Sequence, residues 1–199
     1  MTSIILVGGK SLRLGKSKAL ETINGKSLIQ RVTERLMPMA SQILIVVSHK
    51  QPAIPVDCEA ETRVDLYPNK GPLGGIYTGL VASQSLHSLV VACDMPFLNT
   101  ELLRYMIELS PGFDAVVPRL EEEKLEPLHA IYSKSCLDTM RTQLERNQLR
   151  VTWLLDTLNV RYVERAECQR FDPQLLSFFN INCQADLDRA SLLAAGERH

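Results

Sequence analysis

Uncharged residues gather in three short runs: Ile4-Ile5-Leu6-Val7, Ile43-Leu44-Ile45-Val46-Val47 and Leu89-Val90-Val91-Ala92-Cys93. They are rich in β-branched side chains and do not alternate with polar ones. That is the pattern of strands covered on both faces of a parallel sheet. Helical periodicity lies between them. Ser27 is placed to cap a helix with Gln30 at the capping-box position, so that Leu28, Ile29, Val32 and Leu36 share one face. A second helix is predicted from near Gly74 or Gly75 through Leu80 to about Ser83. A third follows Asn99 or Thr100, with Leu102, Leu103, Met106 and Ile107 turned inward. Strands alternating with helices predict an α/β fold with a mostly parallel central sheet.

The later pattern predicts strands at Asp114 to Val117, Leu128 to Tyr132 and Val160 to Val163. It predicts helices at Ser133 to Leu144, Val151 to Leu158 and Asp186 to Ala195. The glutamate-rich 121–126 segment reads as an exposed loop or hairpin tip. No long Pro/Gly/Ser linker, repeat or low-complexity segment interrupts the chain, so one domain over residues 1–199 is the simplest expectation.

Charge adds an exclusion. Lys and Arg number 22 against 23 Asp and Glu, a net charge of -1, which gives no electrostatic case for a nucleic-acid partner. Five widely spaced cysteines without a CxxC pair fit reduced thiols better than a disulfide framework or zinc site. No signal pattern and no apolar stretch of membrane-spanning length is present, so the expectation is a cytoplasmic protein with no membrane partner.

The first run leads into VGGKSLRLGKSKAL, residues 7–20, which combines Gly8, Gly9 and Gly15 with Lys10, Arg13, Lys16 and Lys18. Glycines and cations after a strand suit a phosphate-wrapping loop. Two familiar loops fail on spacing. Gly15-Lys16-Ser17 lacks the glycine that a Walker A loop requires at position 10, and GxGxxG fails at the same residue, Lys10. What remains is physical. Gly8 and Gly9 leave backbone N–H groups open to an anion, and Arg13 and Lys18 can neutralise phosphate oxygens. A solvated basic loop is an equal alternative for the cluster in isolation.

The third run weighs against that alternative, because it ends at Cys93-Asp94-Met95-Pro96-Phe97. In a parallel sheet Asp94 shares an edge with Gly8 and Gly9. A carboxylate beside a polyphosphate makes sense when it holds Mg²⁺; the alternative is a turn cap. Gly71-Pro72-Leu73-Gly74-Gly75 could form a tight turn seating a base or ribose, or simply join strand to helix. Asp65, after Arg63-Val64, could accept hydrogen bonds from a base or sugar.

Together these motifs resemble the molybdenum cofactor guanylyltransferase (MobA-like) family of nucleotidyltransferases. Leu6-Val7-Gly8-Gly9, Arg13-Leu14-Gly15 and Lys18-Ala19-Leu20 resemble its LAGG-x-x-x-RMG-x-D-K signature. Gly71 to Ile76 resembles its GPLAG segment, Ala92 to Phe97 its CDxPF segment, and Glu126 to Tyr132 its PLxALY stretch. Asn180-Ile181-Asn182 with Asp186-Leu187 resembles its closing NxNTPEDL. The matches run in order over nearly the whole chain.

The resemblance implies a three-layer Rossmann-like nucleotidyltransferase fold and transfer of GMP from Mg-GTP to the terminal phosphate of molybdopterin, with release of pyrophosphate. It implies nucleotide contacts at Leu6, Val7, Gly8, Gly9, Lys18, Asp65, Gly74 and Asp94. Arg13, Lys18 and Asp94 become catalytic, with Asp94 the Mg²⁺ ligand, and Asn180 and Asn182 lie near acceptor or metal. It further implies transient contact with cofactor-donor and molybdoenzyme-maturation proteins. This chain departs from the family at Ser17 (Asp in the family), at Val7 (Ala), at Val46 or Val47 (often Asn) and in the closing motif, which lacks Thr-Pro-Glu. An ionised acceptor phosphate needs no strong general base. His49, His87 and His199 read as surface or loop residues and His129 as structural or lining the acceptor site. A cytidylyltransferase is the runner-up. A non-catalytic nucleotide-binding adaptor, and a sugar-nucleotide synthase with proline before the lysine, rank lower.

Overall fold

A computed structural model describes residues 1–8, 12–13, 16–48 and 59–196, with residues 12, 13, 16 and 17 described by backbone alone. The chain opens with β1 (Thr2–Val7), then two small hairpins, β2 (Leu12–Arg13) with β3 (Lys16–Ser17) and β4 (Thr22–Ile23) with β5 (Lys26–Ser27). There follow α1 (Leu28–Leu36), β6 (Gln42–Val47), β7 (Glu61–Val64), α2 (Gly71–Ala82), β8 (His87–Ala92) and α3 (Thr100–Leu109). The second half runs β9 (Ala115–Glu121), β10 (Lys124–Leu125), β11 (His129–Ser133), α4 (Leu137–Glu145), α5 (Val151–Leu155), β12 (Val160–Glu164), α6 (Arg165–Phe171) and α7 (Gln184–Gly196).

Among the described residues one eight-stranded sheet forms, ordered β10-β9-β11-β8-β1-β6-β7 with β12 also on β9. β7, β6, β1 and β8 are mutually parallel, β11 is antiparallel to both β8 and β9, and β12 is parallel to β9. The mostly parallel α/β sheet expected from the sequence is therefore present.

The pleat explains why the strands read as unbroken apolar runs. Successive side chains point to opposite faces, and each face meets its own helices. Ile5, Val7, Ile43, Ile45, Val47, Leu89 and Val91 pack in a core with Ile29, Val32 and Leu36 of α1 and Leu102, Leu103 and Met106 of α3. Ile4, Leu44, Val46 and Val90 pack on the other side with Leu73, Ile76 and Leu80 of α2 and Met140 and Leu144 of α4. A third cluster joins Ile23, Leu28, Phe97, Ile181, Ala190 and Ala194.

Local chemistry sets the helix ends. Ser27 caps α1 in a full capping box with Gln30, and the Asn99 side chain accepts from the Leu102 N–H to start α3. Several expectations are corrected. α2 begins at Gly71, three residues ahead of Gly74, so the glycine-proline segment is its first turn and not a separate tight turn. Gly71 enters at φ +66°, open to glycine, and Pro72 suits the first turn because its missing N–H has no partner there. α5 ends at Leu155, short of Leu158, and Ser133 to Leu144 divides into a 3₁₀ turn, Lys134–Cys136, and α4. His87 lies in β8, its Nε2 3.0 Å from the Phe113 carbonyl oxygen, while His49 and His199 fall outside the described residues. The 121–126 segment, by contrast, is as expected an exposed hairpin tip, between β9 and β10. Among the described residues no helix is long and apolar enough to cross a membrane.

α2 lies close against β1 because it presents glycines there. A Cβ on Gly79 would stand 2.5 Å from Ile4 Cγ2 and 2.9 Å from its Cδ1; one on Gly75 would meet Leu6 Cδ2 at 3.2 Å. Gly79→Ala is expected to destabilise by roughly 1–3 kcal/mol through overpacking, despite the gain in helix propensity. Gly75→Ala should cost less, and urea midpoints of the two variants check the order.

His129 is fully buried in β11, its ring 4.8 Å from that of Phe178, and among the described residues neither ring nitrogen has a hydrogen-bond partner. Burial pushes its pKa down to about 4, against the pull of the Asp172 carboxylate. Unfolded, the ring takes its proton near pH 6.5. Between those values the unfolded chain binds more protons, so stability is whole above pH 6.5 and falls as pH drops toward 4, by roughly 3 kcal/mol in total. His129→Leu is expected to flatten that part of the acid limb, and denaturant midpoints at pH 7 and 4.5 measure it. An equal drop in both proteins would contradict the assignment.

Candidate active site

Parallel strands deliver their carboxyl ends to one edge, where open α/β sheets bind ligands. Here Val7 pairs with Val47, and Leu6 with both Val46 and Ala92. The residues that follow β1, β6, β7 and β8 therefore share that edge. The Cys93 N–H donates to the Leu6 carbonyl at 3.1 Å, and the Asp65 N–H to the Val47 carbonyl at 2.8 Å, extending the ladder just past the strands. Gly8, Asp65 and Asp94 stand on this rim. Gly8 is exposed, and a Cβ there would meet nothing within 4 Å, so packing does not demand glycine at that position. Val7 is buried, 2% exposed, in the core beneath this edge. Leu6 packs its side chain against Gly75.

Lys18, in a 3₁₀ turn over Lys18–Leu20, crosses to Asp94. Its Nζ donates to Asp94 Oδ2 at 2.8 Å and to Asn182 Oδ1 at 3.3 Å. The Lys18 and Asp94 side chains are 12% and 22% exposed, so the pair is partly desolvated. The closing segment is bound to the same place, because the Ile181 N–H donates to the Asp94 carbonyl at 3.0 Å. Three sequence-predicted residues, Lys18, Asp94 and Asn182, thus meet at one point. Asn180 does not join them: its Nδ2 donates to the Phe178 carbonyl at 3.4 Å, and among the described residues it has no hydrogen bond to Lys18 or Asp94.

Asp65 sits further along the rim with its carboxylate in use. Oδ1 accepts from the Tyr67 N–H at 2.9 Å and from the Thr78 hydroxyl at 3.0 Å. Gly74 lies beneath it, where a Cβ would come within 2.9 Å of the Tyr67 carbonyl oxygen and 3.2 Å of both Asp65 oxygens. The packing of this turn on α2 thus accounts for glycine at position 74. Arg13 is in β2, its backbone paired with that of Lys16; Gly9 lies outside the described residues.

Sequence reasoning named Asp186 within the closing motif without giving it a role, and passed over Thr78. Asp186 Oδ2 accepts from the Asn182 N–H at 2.7 Å and the Cys183 N–H at 2.9 Å. Those donors, the Asn182 amide foremost, hold its carboxyl below the usual range, with Lys18 adding to the effect. The signal available in the sequence was its position three residues beyond Cys183, where an acidic side chain reaches back to a helix N-cap. Cys93, beside Asp94, is buried, and burial with the adjacent carboxylate pushes its thiol up to about 12, so it offers no thiolate at neutral pH.

Among the described residues no group of three His, Cys, Asp or Glu side chains gathers that could hold a metal ion, so a divalent cation here would take most of its ligands from phosphate and water. Asp94 Oδ2 and Asn182 Oδ1 are hard oxygens of the kind Mg²⁺ takes, and an ammonium already stands against both of them.

The chain matches the family model described as MobA-like NTP transferase domain over residues 3–159. It is 37% identical to a probable molybdenum cofactor guanylyltransferase of Methanosarcina mazei, with 94% of this chain and 88% of that protein covered. To one of the same name from Pelotomaculum thermopropionicum it is 34% identical, over 99% of this chain and 95% of the other. The fold is similar to the solved molybdopterin-guanine dinucleotide biosynthesis protein A of Archaeoglobus fulgidus, with a TM-score of 0.83, 32% identity, and 98% and 100% of the two chains covered. Likeness to the 2-C-methyl-D-erythritol 4-phosphate cytidylyltransferase of Thermus thermophilus, TM-score 0.72 at 17% identity over 97% and 98% of the two chains, extends to fold alone.

Proposed function

We propose, from the premise that the chain belongs to the MobA-like NTP transferase family, that it transfers GMP from Mg-GTP to the terminal phosphate of molybdopterin and releases pyrophosphate. The observation that carries this reading is the meeting of Lys18, Asp94 and Asn182 at the carboxyl edge of the central strands. The names of the similar proteins supply the guanine and the acceptor.

Each residue has a task that follows from charge. The acceptor phosphate must approach an α-phosphate that is already anionic. The Lys18 ammonium, with the loop N–H groups and Arg13, is assigned to the triphosphate, where positive charge would lower that repulsion. Asp94 would hold a Mg²⁺ ion, with Asn182 as a neighbouring oxygen. When bound, that ion supplies positive charge to the phosphates and leaving pyrophosphate. While Lys18 neutralises Asp94, the carboxylate stays tolerable in its half-buried place; when Lys18 turns to phosphate, Asp94 becomes available to a cation. The acceptor arrives ionised, so no side chain needs to remove a proton. Gly8 and Gly9, with Leu6, Val7, Asp65 and Gly74 along the rim, complete the nucleotide side of the proposal, and Asn180 and Asn182 the acceptor side. An adaptor that merely binds nucleotide has no use for an acidic residue paired with the loop lysine.

Pyrophosphate release in the presence of molybdopterin is expected with GTP and Mg²⁺, and not with CTP or ATP; equal turnover with CTP would overturn the guanylyl assignment. Chelation of divalent ions should stop it. Asp94→Asn keeps an oxygen for Lys18 and removes the charge, and should slow transfer on the order of 10²-fold or more with little change in the unfolding midpoint. Full activity of that variant with Mg²⁺ would refute the metal role.

A further inference from the structure

Asp186 lies in the first turn of α7, and one of its oxygens takes two backbone donors, the N–H groups of Asn182 and Cys183 at 2.7 and 2.9 Å. The bond from Cys183 is the return arm of a helix cap. The bond from Asn182 falls outside the helix, and its effect is felt by Asn182. That residue is tethered on both sides: the Ile181 N–H is held by the Asp94 carbonyl at 3.0 Å, and its own N–H by Asp186. With its backbone fixed in this way, the Asn182 side-chain carbonyl meets Lys18 Nζ at 3.3 Å. Among the described residues Asp186 makes no hydrogen bond to Lys18 or Asp94 itself.

We infer that Asp186 is a positioning residue for the transfer reaction: by clamping the 182 and 183 N–H groups it sets Asn182 against Lys18 and Asp94, on the side where the acceptor phosphate arrives. The inference rests on the transfer reading above. Its physical content is that a side chain with two or three free rotors loses its effect when its backbone is loose, whereas a short carboxylate taking both N–H groups fixes that backbone. Because both bonds go to a single oxygen, an asparagine at 186 retains the acceptor and an alanine does not.

Steady-state kinetics of Asn182→Ala, Asp186→Ala, Asp186→Asn and the double variant Asp186→Ala/Asn182→Ala test it. Asn182→Ala and Asp186→Ala are expected to lower kcat/KM for the acceptor by similar factors, about tenfold, with KM for GTP unchanged. Asp186→Asn should stay within about threefold of the natural protein, and the double variant should be no slower than Asn182→Ala alone, since Asp186 acts through Asn182. Multiplying losses in the double variant, or natural kcat/KM in Asp186→Ala, would overturn the inference. Asp186→Ser, too short to reach both N–H groups, gives the same comparison where Asp186→Ala does not fold. Absence of GTP-dependent transfer by the natural protein would bring down the functional reading and this inference together, whereas transfer that is indifferent to Asp186→Ala would bring down this inference alone.

Discussion

Lys18, Asp94 and Asn182 are far apart in the chain, and what brings them together is apolar packing. Ile23 and Leu28 follow Lys18, Phe97 follows Asp94, and Ile181 precedes Asn182; these four side chains pack with Ala190 and Ala194 of α7 in one small core. The Phe97 ring meets that of Phe179 edge-on at 5.9 Å, and Asn24 Nδ2 ties the β4–β5 turn to the Ser191 carbonyl at 3.1 Å. Magnitudes decide which effect leads. Full burial of an Ile or Phe side chain contributes about 1.5–3 kcal/mol, whereas an ion pair with both partners open to water in part contributes about 1 kcal/mol or less. The Lys18–Asp94 bridge is therefore the outcome of the packing and not its cause. The candidate site depends on a core outside the main sheet.

This division explains what could be read from the sequence. The central sheet was legible because both of its faces are covered, which writes β1, β6 and β8 as uninterrupted apolar runs. α1 and α3 were legible because their caps, Ser27 with Gln30 and Asn99, are local signals. The β4–β5 hairpin escaped because its strands are two residues each, too short to show a period, although Asn24-Gly25 at φ +48° and +83° is a hairpin turn signal. α6 escaped because its seven residues, RAECQRF, bury only Cys168 and so carry no stripe. The start of α2 was misplaced because Gly-Pro reads as a turn when seen locally, while here a glycine at positive φ followed by proline opens a helix.

For the candidate site, the placing of Asp94 on the edge that holds Gly8 followed from a simple rule, that parallel strands bring their carboxyl ends to one edge. Asn182 could not be placed by that rule. It sits on a closing segment whose position is set by Phe97, Ile181 and α7, contacts among residues widely separated in sequence. Asp65 and Gly74 illustrate the opposite limit. Residue type suggests ligand contact; the structure adds that one oxygen of the carboxylate takes two internal donors and that the glycine's lack of a Cβ admits that turn. A side chain on an active edge can serve the edge by shaping it.

The same edge keeps its reactive side chains silent. Cys93 adjoins Asp94 but is held as the neutral thiol by burial. His129, one strand away on β11, pairs with Val91 of β8 and is held neutral in the core, its ring nitrogens without hydrogen-bond partners among the described residues. Neither group is suited to attack or to carry a proton at neutral pH. Among the described residues this edge presents to solvent Gly8 and Asn182, with the partly exposed ammonium of Lys18 and carboxylate of Asp94. An edge built in this way acts through charge and position. That suits a reaction between two phosphates, in which the nucleophile arrives ionised and the barrier lies in bringing like charges together.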